Sequence, residues 1–300
     1  MTDQSSAPPI LDYDATGAAT YREDFWENAN RHYEDRAERI AIRRLLQPPH
    51  GQRLLELGAG FGRLSASFEG YDQVIIMDYA RSQLLDARAR LGDSKYIYVA
   101  ADLYRLPIAD GACDAATLIR VIHHLADVPA ALAQIRATLA PGALFLLEYA
   151  NKRNAKAMVR YALGRQDWNP YTADPVEFVA LHFDFHPAYI RQELLAAGFQ
   201  PGRALPVSYF RLGILKRLIP ASILAGADGI MQQTGWLYAP SIFTRSTVPG
   251  ERPAQLPETV FKCPACAAAP LAHYDARMTC TACGAAYALE DGIYDFRQPL

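Results

Sequence analysis

Several features are missing from this 300-residue sequence, and each absence excludes a class of protein. No run of about 18 or more uninterrupted apolar residues occurs, which argues against a transmembrane segment. The first residues lack the basic and apolar regions of a signal peptide, so we expect a cytoplasmic protein. Glycine and proline number only 19 and 20, which excludes collagen-like and low-complexity chains. The formal net charge of −2 does not indicate a nucleic-acid-binding protein.

Cysteine is also scarce, but four of the five cysteines fall within the last 38 residues. They form two Cys-x-x-Cys pairs, Cys263 with Cys266 and Cys280 with Cys283. Four thiolates with this spacing can converge tetrahedrally on Zn²⁺, and a unit of about 40 residues is too small to fold well without such a ligand. We therefore predict a structural zinc site in a protein of a reducing compartment, where thiols persist.

Short apolar strands alternate with helices between residues 53 and 148. This order predicts a parallel sheet covered by helices on both faces. We predict an α/β fold with a Rossmann-like, doubly wound, seven-stranded and mostly parallel sheet, followed by a small C-terminal zinc ribbon. The predicted units are a flexible arm at 1–20, a large domain at 21–248, a linker at 249–258 and the ribbon at 259–300. Segments 149–185 and 211–238 interrupt the alternation and are predicted as insertions.

A glycine-rich loop follows the first predicted strand. Its three glycines stand at alternate positions, Gly58, Gly60 and Gly62. Glycine lets the backbone turn tightly and approach a ligand closely. The spacing after Glu56 differs from the GxGxxG dinucleotide motif, and no Lys-Ser/Thr pair follows as in a P-loop. Because Asp78 and Asp102 close the next two strands, and ligands of open parallel sheets bind at that edge, we predict one shared ligand site.

The run from Arg53 to Glu148 resembles the core of class I S-adenosylmethionine-dependent methyltransferases, including enzymes that act on quinones and other small molecules. The matching pieces, in order, are Leu54–Gly62, Asp78–Ala80, Ala101–Leu103 with Leu106-Pro107, Cys113–Thr117, Val121–Leu125 and Leu139–Ala143. The resemblance implies that S-adenosylmethionine is bound by Glu56, Gly58, Ala59, Gly60, Gly62, Asp78, Tyr79, Asp102, Leu103 and Arg120. It assigns Glu56 and Arg120 to the methionine end, Asp78 to the ribose hydroxyls and Asp102 to the adenine amino group.

Residues 259–300 resemble the zinc-ribbon activator that partners tRNA and protein methyltransferases. The residues that carry this resemblance are the two Cys-x-x-Cys pairs, Gly284, Tyr287, Asp291–Ile293 and Phe296, whereas Ala288 stands where proline is common. The resemblance implies that the ribbon acts in cis. It also keeps an RNA or protein substrate open.

Methyl transfer from a sulfonium needs mainly positioning and, for some acceptors, a base. His123 and His124 follow the fourth strand at the predicted mouth of the site, and histidine titrates near neutral pH. We name both as candidate catalytic residues, although one of them could instead pack against the next helix and cap it. His182, Asp184 and His186 could line a substrate site, bind a metal or form a polar turn.

Basic residues are concentrated in the two insertions, which favours an anionic substrate, RNA or lipid headgroups near the mouth unless this is simply a solvated face. Gly213–Pro220 is an amphipathic segment that could touch a membrane peripherally or cover the pocket. Thr117–Arg120 stands where amino-group methyltransferases carry an Asn/Asp-Pro-Pro-Tyr motif. We therefore predict O- or C-methylation of a small or lipid-like acceptor. The alternatives are a tRNA or protein methyltransferase and a non-catalytic scaffold that binds the cofactor.

Overall fold

A computed structural model describes residues 8–10, 14 and 31–300. The described helices are α1 (His32–Leu45), α2 (Arg81–Leu91), α3 (Val128–Thr138), α4 (Ala155–Ala162), α5 (Pro187–Ala196), α6 (Gly213–Leu218) and α7 (Ala221–Met231). The strands are β1 (Gly51–Leu57), β2 (Tyr71–Asp78), β3 (Tyr96–Ala100), β4 (Cys113–Leu118), β5 (Leu139–Ala150), β6 (Val176–Val179), β7 (His182–Asp184), β8 (Gln200–Val207), β9 (Ser241–Thr247), β10 (Ala272–Tyr274), β11 (Arg277–Thr279), β12 (Ala286–Glu290) and β13 (Ile293–Asp295).

Seven strands form the Rossmann-like part of the sheet, in the order β3-β2-β1-β4-β5-β9-β8. The first five are parallel, and β9 runs antiparallel between β5 and β8. Every residue of β4 is buried, which is typical of a central strand covered on both faces. The predicted mixed α/β architecture is therefore present.

The prediction of a seven-stranded sheet is wrong, because the four C-terminal strands extend the same sheet to eleven. β13 runs parallel to β3, with Ile293 opposite Tyr98 and Asp295 opposite Ala100. The backbone N–H of Phe296 also donates to the carbonyl of Ala100 over 2.8 Å. An unpaired edge strand offers free N–H and C=O groups, and here the ribbon satisfies those of β3.

The apolar core lies on both faces of the sheet. On one face the core side chains of β1, β4 and α3 continue into the ribbon, where Phe261 meets Ile108 by a backbone bridge. On the other face α1 packs against α7, and α2 packs against β2 and β3. The ribbon therefore shares a sheet and a core with the larger part of the chain.

Both predicted insertions contain short elements of their own. The first holds α4 and the antiparallel pair β6–β7, and the second holds α6 and α7. Residues 21–30, at the start of the predicted large domain, and most of the predicted arm lie outside the described residues. No described helix is long and apolar enough to cross a membrane.

Candidate functional site

The carboxyl ends of β1, β2 and β3 open onto a cavity of about 130 Å³. A second cavity, of about 60 Å³, shares Gly58, Gly60 and Arg120 with the first. Of the ten predicted cofactor residues, nine line one or both cavities and Gly62 lines neither. The nine are Glu56, Gly58, Ala59, Gly60, Asp78, Tyr79, Asp102, Leu103 and Arg120.

The glycine loop needs its glycines for two different reasons. Gly58 has φ +66°, and a Cβ there would lie 2.1 Å from Val121 Cγ2. Gly62 has φ +71°, and a Cβ there would lie 2.7 Å from Leu91 Cδ1. Because L-residues with a side chain rarely adopt positive φ, both turns favour glycine. Gly58 thus keeps the loop close to the cavity wall, whereas Gly62 lets the loop pack against α2.

Asp78 connects the glycine loop to the end of β2. Its Oδ2 accepts from the N–H of Gly60 over 2.8 Å, and its Oδ1 accepts from the N–H of Ala80 over 2.9 Å. Burial raises the pKa of Asp78, and the backbone N–H donors oppose that rise. A carboxylate has about four lone-pair positions, so Asp78 retains the capacity to accept a hydrogen bond from a ligand in the cavity.

Asp102 lies two residues after the end of β3 and is almost fully buried. Its Oδ1 accepts from the N–H of Tyr104 over 2.8 Å, and Arg105 Nε lies 3.2 Å from Oδ2. Apolar side chains line the cavity around this carboxylate. They are Met77, Leu103, Val121 and Leu125. An apolar slot with one carboxylate at its edge suits a flat heteroaromatic ring that carries a hydrogen-bond donor.

Glu56 lies beside the second cavity and is 5% exposed. Ser65 Oγ donates to Glu56 Oε2 over 2.5 Å, and burial raises the pKa of Glu56 to about 7. Thr117 Oγ1, which lines the same cavity, is buried and has no hydrogen-bond partner among the described residues. The cavity therefore offers polar groups that a charged or polar ligand would satisfy.

Arg120 enters this cavity from the end of β4 in a left-handed conformation, with φ +61°. Its N–H donates to Glu148 Oε2 over 2.9 Å, and its Nε donates to Glu38 Oε1 over 2.8 Å. Arg63 Nη2 donates to the same Glu38 over 2.6 Å. Burial would raise the pKa of Glu38, but the two guanidinium groups lower it to about 2. Neither Glu38 nor Arg63 was predicted from the sequence as a site residue. Arg63 directly follows Gly62 of the glycine loop, and that position was a signal for a site residue. The sequence offers no such signal for Glu38.

His124 lines the larger cavity at its mouth. Its Nδ1 lies 3.0 Å from the carbonyl oxygen of Leu181, so Nδ1 carries the proton and Nε2 is the acceptor nitrogen. Burial lowers the pKa of His124, which keeps the imidazole neutral near pH 7. The ring of His123 lies 4.0 Å away, with a buried Nδ1 that has no hydrogen-bond partner in the described part of the chain. Burial lowers the pKa of His123 well below its ordinary value.

The three residues His182, Asp184 and His186 do not form a metal site. Among the described residues, the only group of three or more His, Cys, Asp or Glu side chains with suitable spacing consists of cysteines. His186 instead caps α5, where its Nδ1 accepts from the N–H of Ala188 over 3.1 Å. His182 lies with its ring 4.6 Å from that of His124, and burial raises the pKa of Asp184 to about 6.

The four cysteines of the ribbon converge, with all Sγ atoms within 4.8 Å of one another. Cys263 and Cys283 have their Sγ atoms 3.7 Å apart, and those of Cys266 and Cys280 are 3.5 Å apart. These separations are too long for disulfides and close to the ~3.8 Å expected when four thiolates surround Zn²⁺ at about 2.3 Å. The donor set therefore fits zinc, which would tie the two Cys-x-x-Cys turns together.

The ribbon also contacts the larger cavity. Arg297 Nη1 donates to the carbonyl oxygen of Tyr79 over 3.3 Å, and its guanidinium lies 5.8 Å from the centroid of the Tyr79 ring. Tyr79 lines the cavity. An ion pair of 2.6 Å with Asp295, the last residue of β13, holds Arg297 in this position. Pro9 and Ile10 line the same cavity, so part of the predicted arm borders it too.

Residues 55–147 match the family described as methyltransferase domain. The matched segment is about a third of the chain, and it contains the glycine loop, both carboxylates of the larger cavity and the two histidines.

The chain is similar to known methyltransferases over part of its length. A demethylmenaquinone methyltransferase from Clavibacter sepedonicus is 32% identical over 110 residues, which is 36% of this chain and 45% of the relative. An O-methyltransferase from Penicillium expansum, cnsE, is 32% identical over 108 residues, 34% of this chain and 39% of the relative. This chain thus matches less than half the length of either relative.

A solved structure extends the likeness to the fold of most of the chain. A chain from the complex between the Haloferax volcanii Trm112 methyltransferase activator and a methyltransferase superposes with a TM-score of 0.54 at 18% identity. The likeness covers 81% of this chain and all of that one. At 18% identity, the likeness shows that the two chains share a fold.

Proposed function

We propose that this protein transfers the methyl group of S-adenosylmethionine to a small or lipid-like acceptor. The observation that carries the proposal is the convergence of three carboxylates, Glu56, Asp78 and Asp102, at neighbouring strand ends around the glycine loop. Positive-φ glycine at Gly58 and Gly60 brings the backbone against the same space. The three carboxylates and the closely approaching backbone match the three parts of the cofactor, which are a charged amino acid, a ribose diol and an adenine.

Each carboxylate has a distinct task in this proposal. Asp78, fixed by two backbone N–H donors, accepts hydrogen bonds from the ribose hydroxyls. Asp102 accepts from the adenine amino group, while Leu103 and Val121 contact the ring. Glu56 lies with Thr117 and Arg120 beside the second cavity, where the methionine end binds. Because burial raises the pKa of Glu56 to about 7, pairing with the ligand's ammonium group would favour its ionised form.

Bound S-adenosylmethionine supplies an electrophilic methyl carbon on a sulfonium. The chain's own contribution is to hold the acceptor in line and to remove a proton where the acceptor needs it. His124 is the candidate base, because it lines the cavity and its Nδ1–H is held by the carbonyl oxygen of Leu181, so Nε2 is the basic nitrogen of the ring. Glu56, Asp78 and Asp102 would hold S-adenosylmethionine, which would supply the methyl group, and His124 would take the proton that the acceptor loses.

The ribbon enters the proposal as a zinc-bound support that acts in cis. Its strand β13 pairs with β3, which ends beside Asp102, and its Arg297 contacts Tyr79. The shared fold with a chain from an activator–methyltransferase complex supports this role. In this chain the supporting unit is covalently attached, so it is present whenever the catalytic site is.

Methyl transfer is tested by incubating the full chain with methyl-labelled S-adenosylmethionine and a cell extract. We expect label in a small, organic-extractable product. Asp78→Ala should transfer at least about a hundredfold less label, since removing charge-assisted hydrogen bonds costs about 1.5–3 kcal/mol each. Label confined to RNA or protein would favour the alternative substrates, and no labelled product from a chain that binds the cofactor would contradict the proposal.

A further inference from the structure

Exposed apolar side chains are concentrated in the two insertions. Seventeen large hydrophobic residues are exposed among the described residues, and thirteen of them lie in segments 149–185 and 211–238. These thirteen, which we call the insertion face, are Val159, Tyr161, Leu163, Tyr171, Phe178, Val179, Leu212, Ile214, Leu218, Ile223, Ile230, Trp236 and Tyr238. Exposed apolar residues scattered singly are ordinary, but such a concentration indicates an interaction surface.

The helices of the second insertion direct apolar residues outward. No residue of α6 is buried, and Ile214 and Leu218, four residues apart, are 65% and 75% exposed. On α7, Ile223 and Ile230 are seven residues apart and therefore share a face, which is also exposed. The buried side of α7 contains Leu224, Ala225, Asp228 and Gly229. Both helices thus present apolar side chains to their surroundings in addition to those that pack inward.

The exposed charge is positive around α4 and α6, whereas the exposed acids of the first insertion, Asp167, Asp174 and Glu177, lie beyond the turn that follows α4. Residues 155–165, which comprise α4 and the turn after it, contain three exposed bases and no acid. In the second insertion Arg217 is exposed, whereas the only acid, Asp228, is buried and accepts from the N–H groups of Ser208 and Tyr209. Lysine and arginine beside outward leucine and isoleucine are typical of helices that lie on anionic lipid surfaces.

The two insertions leave the sheet side by side, next to the mouth of the cavity. Ala150 at the end of β5 pairs with Ser241 at the start of β9. Asn151 Nδ2 donates to the carbonyl oxygens of Leu237 and Ala239, and the N–H of Ala155 donates to Tyr238. The first insertion then returns over the mouth, since β7 contacts the turn that holds the two histidines. A surface bound by the insertions would therefore adjoin the acceptor entrance.

We propose that the insertion face docks on an anionic lipid bilayer. A second copy of the chain fits less well, because a symmetric contact centred on α4 and α6 would bring the basic residues of these two helices against their own kind. A bilayer supplies both matching partners, acyl chains for the leucines and isoleucines and headgroup phosphates for the lysine and arginines. Docking there places the mouth near lipid-like acceptors, but binding itself requires no cofactor and no turnover.

The test is sedimentation of the full chain with vesicles, in the absence of S-adenosylmethionine. The probes are phosphatidylcholine vesicles and phosphatidylcholine vesicles with about one-third phosphatidylglycerol. We expect at least tenfold stronger binding to the anionic vesicles, weakened by added salt. Ile214→Asp with Leu218→Asp should reduce that binding at least tenfold, and Arg160→Glu with Arg217→Glu should reduce it by a similar factor.

The matched control is Leu300→Asp, because Leu300 is 76% exposed but lies in the ribbon. It should bind vesicles like the wild type. No binding of the folded wild type to anionic vesicles would overturn the proposal, as would an equal loss in Leu300→Asp. A wild-type dimer in light scattering that Ile214→Asp with Leu218→Asp abolishes would identify the face as a self-association surface and would also overturn it. Calorimetric cofactor binding, measured separately, distinguishes these failures from failure of the methyltransferase proposal.

Discussion

The ribbon and the insertion segments are both additions to the same Rossmann-like sheet, but they use their apolar residues in opposite ways. In the ribbon, Phe261, Met278, Tyr287 and Phe296 are buried and belong to the core that continues under β4. Only two large hydrophobic residues of the ribbon are exposed, against thirteen in the insertions. One addition is therefore part of the folded core, whereas the other presents a surface.

This difference separates stability from recognition within one chain. The ribbon pairs with β3 and reaches Tyr79 through Arg297, so it supports the side of the cavity where the cofactor is proposed to bind. The insertions meet the opposite side, where Leu181 holds His124. Changes in the ribbon should therefore affect folding and cofactor binding, and changes in the insertions should affect the acceptor and the surface it comes from.

Loss of the zinc site should have the largest effect. Cys280→Ser removes one of four ligands and should lower the free energy of unfolding by at least ~3 kcal/mol, because structural zinc binding contributes directly to folding. The measurements are metal content and thermal unfolding with and without a chelator. The control is Cys113→Ala, since Cys113 is buried in β4 and lies outside the cluster; its loss should leave one zinc per chain. An unchanged unfolding transition after zinc removal would show that the ribbon is dispensable.

Truncating one apolar side chain in each addition compares the two directly. Phe296→Ala in the ribbon should cost about 3 kcal/mol of unfolding free energy, because Phe296 is 3% exposed and its ring packs against Tyr287 and Phe261. Leu218→Ala in the insertion should stay within about 0.5 kcal/mol, since surface substitutions rarely do more. Chemical denaturation measures both. Similar losses of unfolding free energy in Phe296→Ala and Leu218→Ala would contradict the proposed difference between the ribbon and the insertions.

Replacing His124 should have a smaller effect, confined to the rate of methyl transfer. His124→Asn should lower kcat about a hundredfold with little change in cofactor affinity, which is the usual contribution of a general base. Its pKa is lowered by burial, so the neutral form persists below pH 6.5 and kcat should fall only as pH drops beneath that value. Measuring kcat as a function of pH checks the direction of this change. A wild-type rate that falls as pH rises through 7 would assign the group a different role.

Much of the site follows from local sequence, because the elements that form it are consecutive. Asp78 and Asp102 end apolar strands, and such ends meet at one edge of a parallel sheet. The pairing of β13 with β3 could not be predicted, because Ile293 and Tyr98 are nearly two hundred residues apart and neither strand shows a distinctive pattern. The same reason applies to Glu38, whose partner Arg120 lies 82 residues away.

The insertions illustrate a second limit of the sequence. Helices α4 and α6 are only eight and six residues long, so periodicity over one or two turns does not define them. Their exposed apolar side chains, Val159 and Tyr161 on α4 and Ile214 and Leu218 on α6, would predict burial in an ordinary globular domain. Only the surrounding contacts reveal that these side chains are exposed, while the basic composition of the segments was evident from the start.

Calorimetric titration of S-adenosylmethionine into the full chain and into Asp78→Ala tests the central claim most directly. The account predicts saturable binding at one site by the wild type and at least about a hundredfold weaker binding by Asp78→Ala, whose folding should be checked by thermal unfolding. Undetectable binding by the folded wild type, or equal affinity in the two proteins, would contradict it.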